Sequence, residues 1–353
     1  MTQVLEQLRQ RVLDASAQGT PLQLRGGGTK DWYGQVPRGS ILDTRDYAGI
    51  IDYDPTELVI TARCGTPLAE IEAALSEKNQ MLAFEPPYFG DGATIGGVVA
   101  SGLSGPRRAA AGAVRDFMLG AVLMDGHGEV LHFGGQVMKN VAGYDVSRLL
   151  AGSLGTLGLI LDMSVKVLPK PFAESTRRLA MNQTAAIAQL NAWGGQPLPI
   201  SASAWCDGVL TVRLSGARAA VAAADLKIGG DQVSDADAFW RDLREQSHAF
   251  FASEHTALWR LSVPSTAAPL ALPGNQLIEW GGAQRWLQTT AAAAEIRAVA
   301  TAAGGHATLY GGGDRAIGVF QPLAPAVAAI HRRLKTSFDP SGIFNPGRLY
   351  PEL

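Results

Sequence analysis

The stretch of sequence that decides the fold is Glu85-Pro-Pro-Tyr-Phe-Gly-Asp-Gly-Ala-Thr-Ile-Gly-Gly-Val-Val-Ala-Ser-Gly102. Nearly all of its residues are small, proline or glycine, a composition from which neither a helix nor the core of a strand is normally built. A main chain without large side chains can approach a flat ligand closely and offer its amides to phosphate or carbonyl oxygens. We therefore predict that the segment wraps around a ligand as irregular backbone.

A second glycine-rich segment, Leu24-Arg-Gly-Gly-Gly-Thr-Lys-Asp-Trp32, follows a short predicted strand. Consecutive small residues allow successive amides to point into one concavity, which suits a phosphate. Thr29 adds a hydroxyl, and Arg25 or Lys30 adds positive charge. The spacing matches neither the Gly-x-Gly-x-x-Gly of a Rossmann site nor a nucleotide-phosphate loop. Taken alone, the segment is equally well interpreted as a surface turn.

A third segment has glycine at every third position, in Gly152-Ser-Leu-Gly-Thr-Leu-Gly158, just before a predicted buried strand. This spacing indicates that the main chain passes close to a thin neighbouring group, with no side chain between them. The run Met138-Lys-Asn-Val-Ala-Gly-Tyr-Asp-Val-Ser-Arg148 precedes it.

Composition limits the classes of function. The chain has 353 residues, of which 46% are hydrophobic, so two domains with sizeable cores are expected. A net charge of −2 disfavours nucleic acid as a partner. The two cysteines, Cys64 and Cys206, are too few for an iron–sulfur cluster, which usually needs about four cysteine ligands.

The periodicity of apolar residues indicates alternating strands and helices. Residues 67–77 predict a helix, while 117–124 and 129–133 predict a hairpin. In the second half, 200–205 and 209–214 predict another hairpin, and helical patterns follow at 216–226, 290–303 and 323–337. The character of the sequence changes near Pro169. No apolar run of about 18 residues predicts a membrane span, and the N-terminal pattern predicts an amphipathic helix and not a signal peptide.

The order of these motifs resembles the FAD-binding domain of the p-cresol methylhydroxylase / vanillyl-alcohol oxidase superfamily. The run 138–148 is more specific, being similar to the FAD-binding E subunits of bacterial glycolate oxidases. The closing Phe338-Asp-Pro-Ser-Gly-Ile-Phe-Asn-Pro-Gly-Arg348 resembles the superfamily's final segment, which returns to the flavin domain. The resemblance covers essentially the whole chain.

The resemblance implies an α+β fold. It consists of a two-part FAD-binding domain of the p-cresol methylhydroxylase type and a smaller α+β cap domain of ferredoxin-like layout. The expected ranges are 1–170 for the FAD-binding domain, 171–337 for the cap or substrate-type domain, and 338–353 for the returning segment.

The resemblance also implies a set of residues that hold FAD. The cofactor-binding positions expected from it are Arg25, Gly26, Gly27, Gly28, Thr29, Pro86, Thr94, Ile95, Gly96, Gly97, Ser101, Gly102, Gly155, Thr156, Ile160 and Asn345.

Two departures from the superfamily pattern matter. Members with covalent FAD often carry a histidine in or after the first loop, where this chain has Thr29-Lys-Asp-Trp32, so we expect FAD to be non-covalent. Related 2-hydroxy-acid dehydrogenases often carry a metal-binding histidine pair, whereas here only His306 stands in that region, so no metal is expected. The catalytic residues are unknown; weak candidates are Arg107, Arg108 and Lys139.

The activity implied by the resemblance is oxidation of glycolate, a small 2-hydroxy acid, to glyoxylate. Because this chain cannot hold an iron–sulfur cluster, electrons are expected to pass to an iron–sulfur subunit in a complex that also contains a second flavoprotein subunit. We expect a cytoplasmic protein that meets the inner membrane only through its partners. Two alternatives stay open: a self-sufficient FAD-linked 2-hydroxy-acid dehydrogenase, and a scaffold subunit with a vestigial flavin site.

Overall fold

The computed structural model describes residues 2–135, 145–252 and 256–353. Its helices are α1 Thr2–Gln18, α2 Leu68–Glu77, α3 Ile95–Ser101, α4 Arg108–Ala111, α5 Val114–Phe117, α6 Val146–Leu150, α7 Gln183–Gly194, α8 Arg218–Ile228, α9 Ala236–Glu245, α10 Ala293–Ala302 and α11 Pro325–Phe338.

The strands alternate with these helices. They are β1 Leu22–Arg25, β2 Ser40–Asp43, β3 Ile50–Asp54, β4 Val59–Arg63, β5 Gln80–Met81, β6 Met118–Met124, β7 Val130–Gly134, β8 Leu159–Lys166, β9 Leu168–Pro169, β10 Ala173–Ala180, β11 Ile200–Cys206, β12 Val209–Gly216, β13 Asp231–Gln232, β14 Ala257–Ser262, β15 Asn275–Glu279, β16 Gln284–Thr289 and β17 His306–Gly311. The mixed α+β class predicted from the sequence is confirmed, as are both predicted hairpins, β6–β7 and β11–β12.

The chain divides into two compact units. Unit 1 comprises residues 1–103, 113–169 and 322–353, and unit 2 comprises 104–112 and 170–321. Two segments are therefore grouped differently from the ranges expected from the sequence. Residues 104–112 join unit 2, where Gly105 accepts a hydrogen bond from Trp280, and α11 joins unit 1 through the buried contacts of Lys335.

Unit 1 is built on an antiparallel five-stranded sheet in the order β3-β4-β8-β6-β7. Strands β1 and β2 form a separate parallel pair. Helix α2 buries Leu68, Ile71 and Leu75, which lie on one helical face because their spacing follows the 3.6-residue period. Strand β8 is buried along most of its length, with only Asp162 and Lys166 partly exposed.

Unit 2 contains an antiparallel eight-stranded sheet in the order β13-β10-β12-β11-β15-β16-β14-β17. Its first half runs β10-α7-β11-β12-α8-β13 along the chain. Helices α7 and α8 pack on the side chains of β12 that include Val212, while α10 packs on β14, β16 and β17. The ferredoxin-like description of this unit stays a prediction.

Helix α9 lies on the opposite face of the unit 2 sheet. Its Trp240 donates a hydrogen bond of 3.0 Å to the hydroxyl of Thr176, and the guanidinium of Arg213 lies 5.1 Å from the Trp240 ring. Arg213 follows Val212 in β12, and successive residues of a strand point to opposite faces. This sheet is therefore covered by helices on both faces.

The C-terminal segment is anchored by a buried lysine. Lys335 Nζ donates hydrogen bonds to Asp339 Oδ2 at 2.6 Å, to the Thr156 carbonyl at 2.8 Å and to the Phe344 carbonyl at 2.7 Å. Asp339 in turn accepts from the amides of Ile343 and Phe344. Burial lowers the pKa of Lys335, while the Asp339 carboxylate partly opposes that effect.

We expect the substitution Lys335→Met to lower the free energy of unfolding by about 3–5 kcal/mol, because it leaves the Asp339 carboxylate buried without its counter-charge. The loss is measured by urea denaturation followed by circular dichroism. Lys227→Met, at an exposed position of α8, is the matched control, with an expected change within about 0.5 kcal/mol. Equal unfolding midpoints for the two variants would contradict this account.

Candidate functional site

Unit 1 contains a cleft with two adjoining lobes. Counted with the space that is open to solvent, the first lobe measures about 410 Å³ and the second about 520 Å³. The residues common to both lobes are Leu24, Arg25, Gly26, Gly97, Ala100, Leu154 and Asn345.

The loop that follows β1 lines the second lobe with backbone. Within the described part of the chain, the amides of residues 26–29 donate no hydrogen bond to another residue. A side chain has no room at two of these positions: a Cβ on Gly26 would lie 2.3 Å from Thr94 Oγ1, and one on Gly27 would lie 1.5 Å from the Gly92 carbonyl oxygen. Four consecutive unsatisfied donors fit the oxygen atoms of a phosphate group.

Three cationic side chains line the same lobe. Arg25 Nε lies 2.7 Å from Asp31 Oδ2, and Lys30 Nζ donates to the Tyr88 carbonyl at 3.1 Å. Arg348 donates to the carbonyls of Asp31 and Gln35. With Asp31 as the acidic residue of the lining, the lobe carries an excess of positive charge, which favours an anionic ligand.

The segment 85–102 corrects one expectation, because its residues 95–101 form helix α3 and not irregular backbone. Thr94 caps the helix by accepting a hydrogen bond from the Gly97 amide, and Gly102, with φ of 63°, ends it in the left-handed conformation. Gly96 is required because a Cβ there would lie 2.7 Å from the Cβ of Cys64. Tertiary packing and good capping thus override the weak helical propensity of these residues.

The loop 152–158 and the C-terminal segment meet at Asn345. Its Nδ2 donates to the Leu154 carbonyl at 2.6 Å, and its Oδ1 accepts from the Leu24 amide at 2.9 Å. A Cβ on Gly155 would lie 2.8 Å from the same Nδ2. Asn345 therefore joins two walls of the cleft while lining both lobes.

Most residues expected to bind the cofactor are brought together in this cleft. Those that line one or both lobes are Arg25, Gly26, Gly27, Gly28, Thr29, Thr94, Gly96, Gly97, Ser101, Gly155, Ile160 and Asn345. The others do not line either lobe: Pro86, Ile95, Gly102 and Thr156. Ile95 and Thr156 are buried, and Thr156 accepts from Lys335 through its carbonyl.

Some residues of the lining carried no clear signal in the sequence. Thr44 and Cys64 line the first lobe although neither lies in a glycine-rich motif. Burial raises the pKa of the Cys64 thiol to about 12, so that thiol is neutral. The hint that could have identified this position is its place directly after β4 and before Gly65, where a strand ends in a tight turn.

The weak catalytic candidates lie elsewhere. Arg107, in unit 2, is buried and donates to Glu174 Oε1 at 2.7 Å. The Arg108 guanidinium lies 4.4 Å from the Trp280 ring. Both arginines therefore have structural contacts within unit 2, and Lys139 lies outside the described residues.

Among the described residues, no group of three or more His, Cys, Asp or Glu side chains is arranged to hold a metal ion. Burial lowers the pKa of His306, which begins strand β17. A search of the same residues finds no helix with the length and apolar character needed to cross a membrane.

Comparison with known proteins identifies the family of the chain. Residues 3–134 match the FAD binding domain family. The chain is 49% identical over 350 residues to the glycolate oxidase subunit GlcE of Escherichia coli (strain K12), covering 99% of this chain and 97% of that protein. It is 32% identical over 158 residues to the glycolate oxidase subunit GlcD of Bacillus subtilis (strain 168), covering 44% of this chain and 33% of that protein.

Among solved structures, alkyldihydroxyacetonephosphate synthase is similar with a TM-score of 0.64 and 16% sequence identity, covering 97% of this chain and 74% of that one. At this identity the likeness concerns the fold alone. The expected fold of the p-cresol methylhydroxylase type is thereby confirmed. The chain belongs to the family of the glycolate oxidase subunit GlcE, within the p-cresol methylhydroxylase type of FAD-binding proteins, and its cofactor is FAD.

Proposed function

We propose that this chain is the FAD-binding subunit of a glycolate oxidase complex that oxidises glycolate to glyoxylate. The observation that carries the proposal is the second lobe of the cleft, where four free amides at residues 26–29 meet three cationic side chains. This lobe suits the diphosphate of a dinucleotide, and the relationship to GlcE over nearly the whole chain supports the choice of glycolate.

In this proposal the cofactor residues divide by lobe. The amides of residues 26–29, with Arg25, hold the diphosphate. Thr94, Gly97 and Ser101 lie along the cofactor, and Gly155 and Ile160 serve its adenine or ribitol side. Bound FAD supplies the two-electron redox chemistry, while this chain orients it, neutralises its charge and keeps water from its buried parts.

The proposal includes partners because the chain has no cluster ligands of its own to pass electrons onward. Cys64 is buried with a raised pKa, and Cys206 is the second of the two cysteines. We propose that electrons pass to an iron–sulfur subunit, that a second flavoprotein subunit completes the complex, and that any contact with the inner membrane is made by these partners.

We expect FAD to be released intact by acid precipitation, leaving a yellow supernatant and a colourless pellet. No histidine is found among the described residues that line the two lobes, and the Cys64 thiol that lines one of them is neutral. The visible spectrum of both fractions checks this expectation. A pellet that keeps its flavin absorbance would contradict non-covalent binding, and a full-length chain that stays colourless with added FAD would favour a vestigial site.

We expect Gly27→Ala to weaken FAD binding about tenfold or more, a loss of at least ~1.4 kcal/mol. The added methyl group would overlap the Gly92 carbonyl and force apart the two loops that form the lobe. FAD titration of the apoprotein, followed by flavin fluorescence, measures the dissociation constant. Gly194→Ala is the matched control, because a Cβ there meets no atom within 4 Å. Wild-type affinity in Gly27→Ala would show that the loop is not part of the site.

The third experiment concerns dependence on partners. We expect the isolated, FAD-loaded chain to oxidise glycolate with an artificial dye at a negligible rate, and the rate to rise when the second flavoprotein and iron–sulfur subunits are added. We expect this dependence because no catalytic base is identified among the described residues and no group of their side chains is arranged to hold a metal ion. Appreciable turnover by the chain alone would instead favour a self-sufficient dehydrogenase.

A further inference from the structure

Unit 2 contains a cavity of about 220 Å³ between its sheet and helix α9. This space is far larger than the ~30 Å³ that one water molecule occupies in the liquid. The cavity lies on the sheet face opposite helices α7 and α8, which pack against Val212 and its neighbours. Nothing in the proposed role of the unit 1 cleft requires it.

The floor of the cavity is formed by two adjacent rows of residues on the sheet. Across one row, Arg178 of β10 faces Thr211 of β12, which faces Ala204 of β11. In the next row, Cys206 pairs with both Val209 and Leu277. Directly opposite residues on neighbouring strands have Cβ atoms about 4.5–5.5 Å apart, so these side chains form one continuous surface.

The roof of the cavity is aromatic. Phe239 comes from α9, and the His248 ring packs edge-on against it, with ring centroids 5.7 Å apart. The Arg178 guanidinium lies 5.3 Å from the centroid of the Phe239 ring. The walls are therefore largely apolar, with a few polar groups, as in small-molecule sites.

Three hydrogen-bond donors on this lining have no acceptor among the described residues. Arg178 forms no ion pair or hydrogen bond there, and Thr211 forms none through its hydroxyl. His248 Nδ1 accepts from the Phe250 amide at 3.2 Å, and burial lowers the pKa of the ring, so the neutral imidazole carries its proton on Nε2. Arg178 is exposed, so its donors are hydrated in the free protein, and a ligand with acceptor atoms would replace water there.

One acidic residue also borders the cavity. Asp207 is exposed at the rim and is hydrogen-bonded by the thiol of Cys206, whose pKa is raised to about 12 by burial and by the Asp207 charge. The thiol hydrogen bond occupies an acceptor of the Asp207 carboxylate, whereas the donors of Arg178 and His248 have no acceptor in the part of the chain that the structure describes.

We propose that this cavity binds a small organic carboxylate. Its carboxylate group accepts hydrogen bonds from Arg178 and His248, which are stronger than neutral ones because charge assists them. Its short apolar body lies on Ala204 and Leu277 beneath Phe239. The site is independent of FAD and of glycolate oxidation.

The test uses Cys206 as a reporter, because it lines the cavity while Cys64 is fully buried in unit 1. The full-length, FAD-loaded chain is treated with methyl methanethiosulfonate, with and without millimolar butyrate, and modification of Cys206 is followed by peptide mass spectrometry. Butyrate at ten times its dissociation constant is expected to slow the reaction about tenfold, because only the free site reacts.

Matched ligands and variants separate this proposal from simpler explanations. Butyramide and butylammonium, which have the same apolar body without the negative charge, are expected to give no protection. Arg178→Met and the cavity-filling Ala204→Leu are expected to abolish protection by butyrate. Arg241→Met removes an exposed arginine of helix α9, which covers the cavity, and this variant is expected to retain protection by butyrate.

The comparison within each variant is the ratio of rates with and without ligand, so altered basal reactivity of Cys206 does not obscure it. Retained FAD absorbance and an unchanged circular dichroism spectrum establish that each variant is folded. Absence of protection in the wild-type chain, equal protection by butyramide, or protection that persists in Arg178→Met would each overturn the proposal.

Discussion

The cleft of unit 1 depends on the hydrogen bonds of one asparagine side chain. Asn345 bridges the Leu24 amide and the Leu154 carbonyl, groups that lie about three hundred and two hundred positions away in sequence. It holds this place because Lys335 and Asp339 fix the preceding turn by buried, charge-assisted hydrogen bonds. Two remote loops can face a common ligand only while this C-terminal anchor is formed.

Close approach of backbone to backbone is the second constraint on the site. Gly26 and Gly27 sit so close to Thr94 and Gly92 that any Cβ would collide with them. Among the described residues, the amides of residues 26–29 donate to no protein group. These half-buried amides are therefore available to a ligand that offers acceptor oxygens.

Unit 2 shows how similar polar residues take different roles in one fold. Arg107 is neutralised by Glu174, and Arg108 stacks on Trp280, so both serve structure. Arg178, by contrast, faces a cavity with its donors free among the described residues. The sequence suggested Arg107 and Arg108 as weak candidates, whereas burial and pairing in the folded unit decide which arginine is available to a ligand.

The overall fold and the individual cofactor residues were expected from the resemblance to known FAD-binding domains. The sequence by itself determined the main hairpins and marked the glycine-rich segments that line the cleft, because apolar periodicity and glycine clusters are local signals. It did not reveal helix α3, whose glycine-rich residues are helical only because Thr94 caps them and Cys64 packs against Gly96. Nor did it reveal Cys64 and Thr44 in the lining, or the grouping of α11 with unit 1. These features depend on contacts between residues far apart in the chain, which only the tertiary structure brings together.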